Sequence, residues 1–234
     1  MFRSIIFWIT VIIITIFIGS VVTLFSVFDR KGNFPHLCAR IWGRTICRLN
    51  GVKVQVNGLE NIQRDSTQVL VSNHQGFFDT FSLVGYIPIQ FVLMAKESLF
   101  SIPFLGWGMR LSGYVSVNRS NRKKSYHSFM NMIEKVRNGY SAIIFPEGRR
   151  TLDGNIGEFK KGSLLIAIRT GTPIIPVTIS GSYEVMKIGE MRIRPGLIRI
   201  KIDKPIETSN LSKTERDNLI KKVREIIANN YNSR

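Results

Sequence analysis

The chain has 234 residues, room for one domain with a substantial core or for one domain plus a membrane segment. Its formal net charge is +17, yet 44% of its residues are hydrophobic, which excludes a charge-driven disordered chain and points to anionic partners: nucleic acid, an anionic membrane surface, or acidic and phosphorylated substrates. Cys38 and Cys47, and the scattered His36, His74 and His127, have neither disulfide-scaffold nor metal-ligand spacing, so neither a disulfide framework nor a metal site is expected.

The first element along the chain is apolar. From Ile5 to Phe28 there is no charged side chain, and about 24 residues of helix extend about 36 Å, enough to cross a hydrocarbon core with some tilt. A cleaved signal peptide is the competing reading, but the run is too long for a usual signal core and no A-x-A-like site follows it. Only Arg3 precedes the run, whereas Asp29, Arg30 and Lys31 close it and Arg40, Arg44 and Arg48 follow. That bias puts the rest of the chain on the cytoplasmic side of the cell membrane. Phe34 to Leu49 sets Leu37, Ile41, Trp42, Ile46 and Cys47 beside arginines near one-turn spacing, the pattern of an interfacial amphipathic helix. A core helix of the soluble domain fits the same pattern, and the two segments together can also form a hairpin dipping into one leaflet. Residues 1–50 are therefore read as membrane-anchoring helices and 51–234 as one soluble domain.

Asn50-Gly51 is a turn signal, and β and α patterns alternate beyond it. The spacing predicts strands over 52–56, 68–72, 91–95, 114–118, 141–145, 174–179 and 197–202. Tyr126, Phe129, Met130 and Ile133 repeat at helical spacing before Asn138-Gly139, a stop signal. Ser212 to Glu215 is a capping-box pattern ahead of the stripe Leu219, Ile220, Val223, Ile226 and Ile227. The expected fold is α/β, a mixed sheet flanked by helices.

Two segments carry chemistry. Asn73-His74-Gln75-Gly76-Phe77-Phe78-Asp79 follows a strand, where α/β sheets usually present reactive groups. The four intervening residues let the Asp79 carboxylate meet the Nδ1–H of His74, fixing the tautomer so that Nε2 acts as a base. Asp79 as a mere helix cap is the plainer alternative. No nucleophilic serine motif accompanies the pair, so a substrate hydroxyl would have to be the nucleophile. The second segment is Phe145-Pro146-Glu147-Gly148-Arg149-Arg150-Thr151. Arginines on a Gly-containing turn at a strand end suit phosphate, whose oxygens match the guanidinium fork, and Glu147 can orient one of them. A solvated turn with an incidental ion pair is the alternative.

In this order the segments resemble the 1-acylglycerol-3-phosphate acyltransferase family. Asn73 to Asp79 is similar to its N-H-x4-D block, and Gly113 to Arg119 to a second block ending in arginine. Phe145 to Thr151 is similar to its F-P-E-G-T-R-S block, and Pro173-Ile174-Ile175-Pro176-Val177 to a last, proline-bearing one. Gly76 stands where serine is common, Asn118 where aspartate is usual, and Arg149 where threonine is usual, so the family arginine maps to Arg150. The resemblance implies a glycerolipid acyltransferase-like fold over 51–234. It further implies that His74, supported by Asp79, deprotonates the hydroxyl of lysophosphatidic acid, which attacks the thioester of acyl-CoA or acyl carrier protein, with no cofactor or metal. Arg119, Glu147, Gly148 and Arg150 would form the phosphate side of the site, Arg149 adds positive charge beside it as a further substrate-binding candidate, and Lys96 would steady an oxyanion or an anionic substrate. Membrane phospholipids are the expected partners, and nucleic acid is not. Another lyso-lipid or glycerol 3-phosphate as acceptor remains an alternative; so, from other classes, do an inactive membrane scaffold and a basic nucleic-acid-binding protein.

Overall fold

The computed structural model describes residues 2–26, 29, 32–160 and 162–231. Phe28, Arg30, Lys31 and the side chain of Arg3, which enter the apolar-run and charge-bias readings, lie outside the described residues.

Each of the seven predicted strand segments is a strand: β1 (Val52–Asn57), β2 (Val69–Ser72), β3 (Phe91–Lys96), β4 (Val115–Val117), β5 (Ser141–Ile144), β6 (Ile174–Ser180) and β7 (Gly196–Ile202). They form one sheet in the order β1-β7-β6-β2-β5-β3-β4, parallel throughout except for the antiparallel pair β6 and β7. The sequence of each strand follows its place in that order. The central β2, β5 and β6 are buried at every position, as strands covered on both faces must be, whereas β1 and much of β7 alternate between buried and exposed.

Helices cover both faces. Leu70, Ile143, Ile175 and Val177 turn toward α2 (Asn33–Leu49) and α3 (Phe78–Tyr86), where they share a core with Ile46, Phe78, Phe81 and Leu83. Val69, Val71, Ala142 and Ile174 turn the other way, toward α6 (Arg122–Arg137), α7 (Leu165–Thr170) and α9 (Lys213–Asn230). The two stripes read from the sequence supply Ile133, Leu219, Val223 and Ile227 to that second core, with Phe129, Met130 and Ile220 partly buried against it; Met132 and Val136, outside the stripe as read, are buried there too, and Tyr126 is exposed. The capping box of α9 is formed as expected, Ser212 and Glu215 each satisfying the other's backbone amide.

The apolar run is α1 (Phe2–Phe25), and its Ser4–Phe25 stretch is long and apolar enough to cross a membrane. It lies against the rest of the fold along most of its length. Ser4 Oγ accepts from the Ile193 amide (3.3 Å), Phe7 packs on Phe77 and Phe78, and Thr15 Oγ1 accepts from Trp42 Nε1–H (2.9 Å). Further on, a Cβ at Gly19 would sit 2.6 Å from that of Phe104, in the connection between α4 (Glu97–Phe100) and α5 (Leu105–Leu111). The opposite side of α1, including Ile5, Ile9, Ile12, Ile16 and Phe17, is exposed. The second segment, α2, buries His36, Cys38, Gly43, Ile46 and Cys47 against the domain and leaves Leu37, Ile41 and Leu49 exposed.

Candidate active site

Because β2, β5, β3 and β4 are parallel neighbours, their C-terminal ends share one edge of the sheet. That edge brings together His74 after β2, Arg149 and Arg150 after β5, Lys96 at the end of β3 and Arg119 after β4.

The loop after β2 is held before it reaches the histidine. Buried Asn73 bridges to β6 with both amide atoms, Nδ2–H donating to the Ile179 carbonyl and Oδ1 accepting from the Ile179 amide, each at 2.8 Å. His74 Nδ1 then lies 2.7 Å from Asp79 Oδ2. The same oxygen accepts the amides of Gln75 (2.6 Å) and Gly76 (2.9 Å). Asp79 is fully buried; these donors replace the water lost by Oδ2, whereas Oδ1 meets no partner among the described residues. The carboxylate therefore caps the loop and orients the imidazole at once. A carboxylate only accepts, which assigns the ring hydrogen to Nδ1 and leaves Nε2 as the basic lone pair. Phe145 stacks on the imidazole at 4.1 Å, fixing the plane of the ring.

The turn after β5 is fastened to this loop. The Thr151 amide donates to the His74 carbonyl (3.0 Å), and Glu147 Oε1 accepts the His74 amide (2.8 Å). Glu147 Oε2 accepts the Gly157 amide (3.0 Å). The expectation that Glu147 orients an arginine is thereby revised: both its oxygens are committed to backbone amides. Burial pushes its pKa up, and the two amides pull it partly back. Gly148 has φ +73, the left-handed region that favours glycine, and turns the chain so that the arginines follow.

The arginines differ. Arg150 is partly buried with its guanidinium 5.5 Å from the centre of the Phe77 ring. Burial pulls its pKa below the usual value; Asp79 opposes that shift and Arg119 adds to it, so these three charges act on one another. Arg149 is exposed, as are Arg119 and Lys96, and no ion pair to any of them occurs among the described residues.

Two contributors carry no local signal in the sequence. Phe145 ends a strand like any apolar residue, and only the β2–β5 pairing sets it against His74. Tyr231, just past α9, donates its hydroxyl to the Gly154 carbonyl (2.7 Å) and reaches Gln75 Oε1 at 3.5 Å, bracing both loops from behind. Among the described residues no group of three or more His, Cys, Asp or Glu can hold a metal ion.

The arrangement offers one oriented base, a neighbouring cation for an anionic substrate group, and no serine or cysteine in the dyad. An acyltransferase family model matches residues 53–180. A chloroplastic 1-acyl-sn-glycerol-3-phosphate acyltransferase of Arabidopsis thaliana is 35% identical over 203 residues, 86% of this chain and 56% of that one. A Borreliella burgdorferi protein of the same description is 34% identical over 180 residues, 76% of this chain and 72% of that one. The chain thus spans about half the length of the chloroplastic relatives it matches. The crystal structure of a 1-acyl-sn-glycerophosphate acyltransferase from Thermotoga maritima has a TM-score of 0.87 and 31% identity, covering 97% of this chain and 92% of that one.

Proposed function

The chain belongs to the 1-acyl-sn-glycerol-3-phosphate acyltransferase family, and from that premise we propose that it moves a fatty acyl group from acyl-CoA or acyl carrier protein to the sn-2 hydroxyl of 1-acylglycerol 3-phosphate, forming phosphatidic acid. The observation that carries this reading is the His74–Asp79 pair, with Arg150 near enough for the charges of Asp79 and Arg119 both to act on it.

In the reaction, Nε2 of His74 takes the proton of the acceptor hydroxyl as its oxygen bonds to the thioester carbonyl carbon. Asp79 steadies the imidazolium that forms. Collapse of the tetrahedral intermediate breaks the C–S bond, and the departing sulfur takes the proton from His74. No oxidant, metal or enzyme-bound acyl group enters the balance. Arg150, with Arg119, holds the acceptor phosphate so that the hydroxyl meets Nε2. Lys96 and Arg149 extend the positive field toward the anionic donor.

The membrane setting follows from α1. Contacts with the domain from Ser4 to Gly19 leave only its outer side for lipid, which favours α1 and α2 bedding together into one leaflet, with the catalytic edge at the headgroup level and facing the cytoplasm.

Product analysis with defined acyl-CoA and acyl-carrier donors against 1-acylglycerol 3-phosphate tests the reading. Phosphatidic acid is expected, and acylation only of another lyso-lipid would overturn the acceptor assignment. His74→Ala should lower turnover by about 10³-fold, in the range general-base catalysis contributes, without loss of fold or membrane association. Near-normal turnover would remove His74 from the mechanism.

A further inference from the structure

Helix α6 carries a charge pattern that neither its packing nor the chemistry at His74 uses. It leads from the C-terminal end of β4 to the start of β5, and those strands run the same way, so its first turns stand at the catalytic edge, just past Arg119. From Asn118 to Arg137 there are six basic residues and one acidic, Glu134 in the last turn. Arg122, Lys123 and Lys124 open the helix, all exposed, with no acidic residue in the first turn. Cations at a helix start oppose the helix dipole, so the cluster weakens the element that carries it. Lys124 has Glu97 at 3.9 Å, whereas Arg122 and Lys123 form no ion pair among the described residues.

The positive surface continues along the outer side of the helix. Tyr126 is 56% exposed and, four residues past Arg122 and three past Lys123, shares their face. One turn further on, Arg169 of α7 lies over α6, its guanidinium 5.9 Å from the centre of the Phe129 ring and one of its nitrogens 3.8 Å from Met130 Sδ. The patch is therefore about 10 Å long from Arg122 to Phe129. Tyrosine and arginine are the side chains that protein interfaces favour at their energetic centres.

The layers of the fold limit what this surface can meet. Phe7 of α1, Ile46 of α2 and Phe78 of α3 pack on one face of the sheet, and Met132, Ile133 and Val136 of α6 pack on the other. The outer side of α6 thus points away from the anchoring helices, toward solvent and not toward the bilayer. It is also convex, whereas a nucleotide or another small anion takes a concave site. A soluble acidic macromolecule that brings something to the catalytic edge fits both conditions, and of the two thioester donors only acyl carrier protein, an acidic protein, is one. We propose that the first two turns of α6, with Arg169, are the docking face for acyl carrier protein. Arg122, Lys123 and Arg169 meet carboxylates of the carrier, Tyr126 packs between them, and the docked carrier stands beside the edge that its thioester has to reach. This inference rests on the acyl-transfer reading of that edge and adds the donor to it.

Binding of fluorescently labelled holo acyl carrier protein to the full chain in neutral detergent micelles tests the face without requiring turnover, so its failure is read apart from any failure of the acyl-transfer reading. The double variant Arg122→Glu, Lys123→Glu should weaken binding about tenfold or more, and added salt should weaken binding to the wild type. Glutamates suit a helix start, so the unfolding midpoint should not fall. Lys221→Glu, Lys222→Glu makes the same charge change at exposed positions of α9, on the same face of the sheet, and should leave binding within about twofold. In steady-state assays the α6 variant should lose about tenfold in kcat/KM with palmitoyl-carrier protein and keep its value with palmitoyl-CoA. Equal carrier affinity in the wild type and the α6 variant, or an equal loss in the α9 variant, would overturn the docking face. An equal loss with palmitoyl-CoA would reassign the patch to the CoA phosphates. A loss confined to binding of phosphatidylglycerol vesicles or of a duplex oligonucleotide would reassign it to membrane or nucleic acid.

Discussion

Gly76 shows how one missing side chain couples two loops. A Cβ at this position would lie 2.4 Å from the Ser182 carbonyl oxygen and 2.7 Å from its carbon, and backbone cannot swing aside as a long side chain can. The His74 loop therefore meets the start of α8 (Ser182–Val185) backbone to backbone, with the Gly76 amide spent on Asp79. Installing serine, which the family pattern leads one to expect here, is for this reason not a harmless change. Gly76→Ser must push α8 away or tilt the amide that holds Asp79. A destabilisation of about 2 kcal/mol is expected from the overpacking, together with a fall in kcat of about tenfold as the dyad loosens. Thermal unfolding and steady-state kinetics of the variant would check both, and unchanged values would show that α8 yields freely.

At the scale of elements, the connection from β4 to α6 explains a second departure. Asn118 Oδ1 accepts from the amides of Ser120 and Asn121, both at 3.1 Å, and from Ser120 Oγ at 2.7 Å, as an aspartate can. Its Nδ2 also donates to Glu97 Oε2, which an aspartate cannot do, and two carboxylates there would repel. Asn118→Asp should loosen the loop that carries Arg119 and raise the KM for the phosphorylated acceptor several-fold, with little change in kcat. Adding Glu97→Gln should restore the value, and a double-mutant cycle without coupling would rule the pairing out. What the sequence revealed divides along the same line. Strand positions, the capping box of α9 and the His74–Asp79 contact were legible because each depends on residues close in the chain. The Asn73–Ile179 bridge spans 106 residues, and the contacts of Gly76 with Ser182 and of Tyr231 with Gly154 depend likewise on distant segments. Glu147 was read as an arginine partner because its own segment holds arginines, whereas its bonds to His74 and Gly157 follow from strand order, which local pattern does not encode.

Across the whole molecule, two buried titratable groups stand at opposite edges of the sheet and respond to acid with opposite sign. His36, near the anchoring helices, has a pKa of about 4 in the folded chain against 6.5 for the free side chain. Between those values the unfolded chain takes up a proton that the native state refuses, so stability is lost as pH falls from 6.5 toward 4, by at most about 3 kcal/mol. Glu147, at the catalytic edge, has its pKa raised by burial. The native state protonates it before the unfolded chain does, so its contribution grows as pH falls through its folded pKa toward the ordinary carboxylate value. His36→Phe removes the first contribution and keeps the second, and the ring should fill the same space against Phe91. Unfolding midpoints measured from pH 7 to about 4.5 should therefore fall more steeply for the wild type than for His36→Phe. Parallel curves would mean that His36 takes up its proton alike in the folded and unfolded chains, and the burial cost assigned to it would be lost.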